Sequence, residues 1–150
     1  MQSLNLPTFA YSIRPFKTGH QIFDVVRKKY VWLTAEEWVR QHFLHYLINY
    51  LGYPPSLVRL EQRVRYSRRL HRPDIVIYSR SVVPLMLVEC KAAHVVIKSA
   101  TREQLARYNA HFRAKFLVIT NGIVHYCWRF DYAHGNHVLL AELPRFEHIV

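Results

Sequence analysis

The chain has 150 residues, 21 Lys and Arg against 10 Asp and Glu (a formal charge of +11), and is 51% apolar and 14% aromatic. That is enough for one domain with a core but not two, too apolar for disorder, and without an apolar run that could cross a bilayer. The first residues lack the pattern of a signal peptide, and Cys90 and Cys127 lie in apolar runs, so reduced thiols in a cytoplasmic core are expected rather than disulfides.

Residues 1–20, with Pro7 and Pro15, read as an irregular N-terminal arm, leaving 21–150 as a single domain. "QIFDVVRKKYVWL" (21–33) reads as a hairpin turning near Arg27, Lys28 and Lys29. "TAEEWVRQHFLHYLINYLG" follows as a helix. Thr34 is its N-cap, Glu37 three residues later makes a capping box, Leu44, Leu47, Ile48 and Leu51 form its apolar stripe, and Gly52 stops it. "LVRLEQRVRY" (57–66) reads as one strand, "SRRLHRP" as a basic turn, "DIVIY" (74–78) and "LMLVECK" (85–91) as two more strands. "TREQLARYNAHF" (101–112) is a helix with Thr101 as N-cap, and strands follow at 116–120, 124–130 and 137–143. This order predicts an α/β sandwich, a mixed central sheet flanked by helices.

The excess of positive charge favours nucleic acid as partner. No helix sets a basic face against a purely apolar one, which argues against a membrane surface. The histidines lack zinc-site spacing.

The apolar strand "PLMLVECKA" (84–92) ends in Glu89 and Lys91, which alternation puts on one face, with Cys90 on the other. If 79–84 is the connecting loop and the pairing has no bulge, Tyr78 meets Leu85, Ile75 meets Val88, and Asp74 lies opposite Glu89, about 5 Å away at Cβ. Two facing carboxylates destabilise a sheet, but they suit Mg²⁺ or Mn²⁺, which take carboxylate oxygens. Lys91 beside such an ion could orient or deprotonate a water, and the Cys90 backbone carbonyl could add a neutral oxygen ligand.

"RPD" (72–74) followed by "ECK" (89–91) resembles the PD-(D/E)XK nuclease signature. "QLARY" is similar to the Q-x-x-x-Y motif of one branch of these nucleases. The segment 22–54 resembles the opening of the N-terminal domain of type I restriction enzyme R subunits and their short stand-alone relatives. The chain is identified as a member of that family over about residues 20–130. The resemblance implies a restriction-endonuclease-like α/β/α sandwich and Mg²⁺-dependent hydrolysis of DNA. It implies Asp74 and Glu89 as metal ligands, Lys91 as the catalytic lysine, Glu37 as a helical acid near the metal, and Gln104 and Tyr108 as site supports that contact the DNA backbone. Arg68, Arg69, Arg72 and Arg107 are further candidates for phosphate contacts. The absence of motor sequence after residue 150 leads to the expectation that this chain cannot translocate DNA. A homodimer, or separately encoded motor or specificity subunits, would then complete it; the rival reading is a non-catalytic DNA-binding module.

Overall fold

The computed structural model describes the backbone of residues 1–61, 64–66, 69–71 and 73–149, and the side chains of 1–61 and 73–149. Three antiparallel strands open it: β1 (Ile13–Phe16), β2 (Gly19–Asp24) and β3 (Lys29–Trp32). The irregular arm expected over residues 1–20 therefore ends at Ser12, and β2 runs through residue 20. The expected hairpin is present, with Arg27 and Lys28 in its turn.

Helix α1 (Ala35–Asn49) starts where expected: the Thr34 hydroxyl accepts from the Glu37 backbone N–H at 3.0 Å. Gly52 follows its end at φ +78°, where a side chain would be strained. Val39, Phe43, Leu44, Leu47 and Leu51 are buried, and Ile48 is only partly so.

A six-stranded sheet forms the centre, in the order β11 (Asn136–Leu140), β10 (His125–Asp131), β9 (Phe116–Thr120), β8 (Pro84–Cys90), β7 (Ile75–Tyr78) and β4 (Val58–Leu60). Only β8 and β9 run parallel, joined through α2 (Ser99–Phe112), so the sheet is mixed. α2 returns the chain from the C-terminal end of β8 to the N-terminal end of β9.

Alternation sorts the two faces of the sheet. Ile75, Ile77, Met86, Val88, Cys90 and Val118 pack with α1, while Val76, Leu87, Leu117 and Ile119 pack with Leu105 of α2. Helices on opposite faces of a mixed sheet make the restriction-endonuclease-like α/β sandwich expected from the sequence.

Three local expectations are corrected. The single strand at 57–66 is two: β4 ends at Leu60, Glu61 takes φ +48°, and β5 (Val64–Tyr66) pairs instead with β6 (Arg69–His71), inside the stretch expected to be a turn. α2 is capped at Lys98, so Thr101 lies inside its first turn, not at its N-cap. Tyr78 pairs with Pro84, leaving Leu85 as the extra residue of a bulge, whereas Ile75 still meets Val88. The bulge sits at the loop end of the ladder, so the register near Asp74 and Glu89 is unaffected.

Candidate active site

β8 delivers Glu89 and Lys91 to the end of the sheet. Glu89 shares the face of Leu87, and Cys90 is wholly buried on the opposite, α1 face. Lys91 Nζ donates to Glu89 Oε1 at 3.3 Å, and both side chains are partly exposed.

Asp74 lies in the bend just before β7, one step beyond the Ile75–Val88 pair. Its Oδ2 accepts the Cys90 backbone N–H at 2.7 Å, and its carbonyl accepts the Glu61 N–H at 2.9 Å. Asp74 is thus clamped against the Glu89–Cys90–Lys91 segment. Burial, then the Asp74 charge, push the Glu89 carboxyl up to about 8 against the opposing pull of Lys91. Burial pulls the Lys91 ammonium down, but Glu89, with Glu36 and Asp74 beyond it, more than offsets this and leaves its pKa above the usual lysine value.

The first turn of α1 supplies another carboxylate. Glu36 is half-exposed, and burial followed by the Asp74 charge raises its pKa, with Arg40 and Lys91 acting the other way. It therefore shares the electrostatic environment of Asp74, Glu89 and Lys91. Glu37 points elsewhere. Its Oε1 accepts from Arg27 at 2.8 Å and from Gln41 at 2.9 Å, and its Oε2 accepts from Arg40. Only the Thr34 half of the expected capping box is among the described hydrogen bonds.

Sequence reasoning missed the residue that joins these groups. Arg40 is buried on α1 and donates to Asp74 Oδ1, to Glu37 Oε2 and, at 3.2 Å, to Glu36 Oε1; Glu61 lies 3.4 Å from it. Behind it, Arg27 bridges Asp24 at 2.7 Å, Glu37 at 2.8 Å and Glu61 at 3.1 Å, and Gln41 donates to Asp24 at 2.9 Å. A signal was available: Arg40 falls in helical phase with Leu44 and Leu47, so an arginine was bound to be buried there and to need partners.

On α2, Gln104 Nε2 donates to the Tyr108 hydroxyl at 2.6 Å; Gln104 and Arg107 are exposed, and Tyr108 packs partly against the core on that face. The side chains of Arg68, Arg69 and Arg72 lie outside the described residues. Among the described residues no group of three or more His, Cys, Asp or Glu is arranged to hold a metal ion, and no helix is long and apolar enough to cross a membrane.

The arrangement is a strand end with two carboxylates, an ammonium, a neighbouring helical carboxylate and a buried arginine that fixes one of the acids. A family model described as the N terminus of the type I restriction enzyme R protein matches residues 35–144. The chain belongs to this R-protein N-terminal family. The match takes in α1 and its acids, Asp74, the Glu89–Lys91 segment and α2. No curated protein matches the chain. Among solved structures, a fragment of an HsdR subunit of a type I restriction enzyme from Vibrio vulnificus YJ016 superposes with a TM-score of 0.52 at 20% identity, over 78% of this chain. This chain spans only 24% of that one, and at such identity the likeness speaks for the fold alone. A nuclease-like DUF820 protein from Anabaena variabilis ATCC 29413 aligns over 86% of this chain and 80% of its own at 12% identity, with a TM-score of 0.46.

Proposed function

We propose that this R-protein N-terminal domain is a metal-dependent DNA endonuclease whose reactive groups are Asp74, Glu89 and Lys91. The observation that carries the reading is the clamping of Asp74 onto the Cys90 N–H, which gathers two carboxylates and a lysine at one strand end. Such a donor set fits a hard divalent cation. Burial, and after it the Asp74 charge, raise the Glu89 pKa, and a cation would offset both. Asp74, Glu89 and the Cys90 carbonyl would hold Mg²⁺, or Mn²⁺ as a substitute. When bound, the ion supplies Lewis acidity towards a phosphodiester and its attacking water.

The chain's own groups do the rest. Lys91, already paired with Glu89, orients the water and offsets charge developing on the phosphate. Arg40 holds the Asp74 carboxylate in place. Glu36 takes the role of helical acid expected for Glu37, because the Glu36 charge acts on Asp74, Glu89 and Lys91. Gln104, Tyr108 and Arg107 contact the DNA backbone, together with Arg68, Arg69 and Arg72. A domain with one site makes one cut, so a double-strand break calls for a homodimer or for separately encoded motor or specificity subunits, in a cytoplasmic setting.

Plasmid nicking by wild type, Glu89→Ala and Lys91→Ala in Mg²⁺, Mn²⁺ and EDTA tests this. Cleavage by wild type with either metal, and its loss in EDTA and in both variants, is expected. Full activity in both variants, or equal cutting in EDTA, overturns it. DNA binding without cutting under every condition favours the non-catalytic module or the missing-partner reading.

A further inference from the structure

A positively charged feature lies at the other end of the parallel pair. A cavity of about 670 Å³ opens there, lined by Val83, Pro84 and Leu85 from the start of β8, Arg113 and Lys115 ahead of β9, and Arg129, Phe130, Asp131 and Tyr132 at the end of β10. Arg113, Lys115 and Arg129 are all exposed, and none makes an ion pair with a carboxylate among the described residues. The one acid in the lining, Asp131, hydrogen-bonds His134 at 2.7 Å and offsets only part of the Arg129 charge, leaving the cations in excess. The Arg113 guanidinium lies 4.4 Å from the centre of the Tyr132 ring, which fixes its position without neutralising it. Three cations thus converge on one concavity, where mutual repulsion costs stability unless an anion relieves it.

Pro84 lies at one end of β8 and Glu89 near the other, five steps apart, or about 17 Å at a strand's rise. α2 runs between the two ends. Its exposed Gln104, Arg107 and His111 fall on one stripe, at helical spacing, that leads from the carboxylate end to Arg113 at its C-cap.

We propose that the Arg113–Lys115–Arg129 cavity is a second phosphate-binding site, which grips the backbone of the same DNA about 17 Å, or roughly five base steps, from the reactive carboxylates. The proposal rests on the nuclease reading for the identity of its ligand. It adds that the footprint extends along α2 to this cavity, so affinity should depend on duplex length.

The test is binding in EDTA, so that nothing is cut, using fluorescence anisotropy with a short duplex of about 4 base pairs closed as a hairpin, which cannot span the two sites, and a long duplex of about 20 base pairs, across a salt series. The variants are Lys115→Gln/Arg129→Gln and the charge-reversed Lys115→Glu/Arg129→Glu, each checked for a Tm no lower than that of the wild type. For the long duplex, the neutral variant should bind about tenfold more weakly and the reversed one more weakly still. The log–log salt slope of the neutral variant should be shallower by about 2, for two lost phosphate contacts. The short duplex should bind all three proteins alike. Wild-type affinity for the long duplex in both variants overturns this inference and leaves the nuclease reading standing. Equal weakening for both lengths also overturns it, since a general loss of charge explains that result. A wild type that binds neither duplex overturns both.

Discussion

Two regions of this molecule use the same kinds of side chain for opposite ends. At the junction between the N-terminal three-stranded sheet and α1, Asp24, Glu37 and Glu61 meet Arg27, Arg40 and Gln41, and nearly every oxygen is matched by a donor. At the end of the central sheet, Glu36, Asp74 and Glu89 surround Lys91, and negative charge is in surplus. The difference teaches that burial alone does not mark a functional acid. What marks it is burial with too few cations close by, a cost that folding tolerates only where another ligand is expected. Arg40 spans both regions, holding Glu37 on one side and Asp74 on the other.

The largest effect that would break this comparison is catalytic. Removing Glu89 or Lys91 from the surplus cluster should cost on the order of 100-fold or more in nicking rate, by analogy with the loss of a single stabilising group at other sites. Folding should be largely spared, because both side chains reach solvent. The two variants should also differ in metal-free DNA binding. Above about pH 8, where Glu89 is ionised, Glu89→Ala removes a negative charge facing the DNA, so affinity holds or tightens, whereas Lys91→Ala weakens it slightly. A shift in the same direction for both would signal misfolding, not chemistry.

The matched region should respond in stability instead. Arg40→Met leaves Glu37 and Asp74 without their shared cation, and breaking a buried ion pair from one side costs roughly 3–5 kcal/mol. Urea unfolding measures this directly. A loss below about 1 kcal/mol, the size expected of an exposed pair, would mean that the network is solvated and that the contrast between the regions is unfounded.

The pH dependence separates the regions in a third way. With its pKa raised from 4.5 to about 8, Glu89 keeps a proton in the folded chain that the unfolded chain releases. Its contribution therefore lowers stability steadily between about pH 4.5 and about 8, and adds nothing further above that. Glu89→Gln, which cannot ionise, should match the wild-type Tm near pH 4.5 and exceed it at pH 9 in EDTA. Mn²⁺ competes with that proton, so the rise in wild-type Tm on adding Mn²⁺ should grow from pH 6 to pH 8. A Glu89→Gln Tm that tracks the wild type at every pH would remove Glu89 from the surplus cluster.

Much of this was legible in the sequence because it follows from short-range rules. The Thr34 cap, the α1 stripe, the buried strand from Leu85 to Cys90, the opposite faces of Glu89 and Cys90, and the Ile75–Val88 register all follow from periodicity and one loop. The Leu85 bulge was not legible, since pairing symmetric about a loop assumes equal strand lengths, and the loop here is closed by Ser79 and Val83. The β5–β6 hairpin was hidden because its alternating pattern continues that of β4, and the break falls at Glu61 in a left-handed conformation that its side chain does not announce. The Arg40 network was least legible. Its acids come from residues 24, 36, 37, 61 and 74, and only the fold brings these segments together. The partners of Glu37 were hidden for a related reason. The capping-box pattern drew attention to Glu37, whereas Arg27, arriving from the N-terminal hairpin, decides which of Glu36 and Glu37 is matched.

The choice between Glu36 and Glu37 yields the smallest of the expected effects and the sharpest comparison, because the two acids are neighbours in sequence and belong to different regions. Glu36→Gln should leave stability within about 0.5 kcal/mol, since its side chain is half-exposed and its pair with Arg40 lies at the solvent boundary. It should weaken Mn²⁺ binding by about tenfold, the lower end of what loss of a supporting group around a metal costs. Glu37→Gln should do the reverse. It removes the charge that balances Arg27 and Arg40 inside the junction, so the Tm falls clearly, while the affinity for Mn²⁺ per folded molecule stays nearly constant. Isothermal titration with Mn²⁺ at pH 8, alongside thermal unfolding of both variants, reads the two quantities independently. If Glu37→Gln loses metal affinity and Glu36→Gln does not, the helical acid is Glu37 after all. Arg27 would then have to release it when the metal binds, and the matched junction would be part of the site instead of its support.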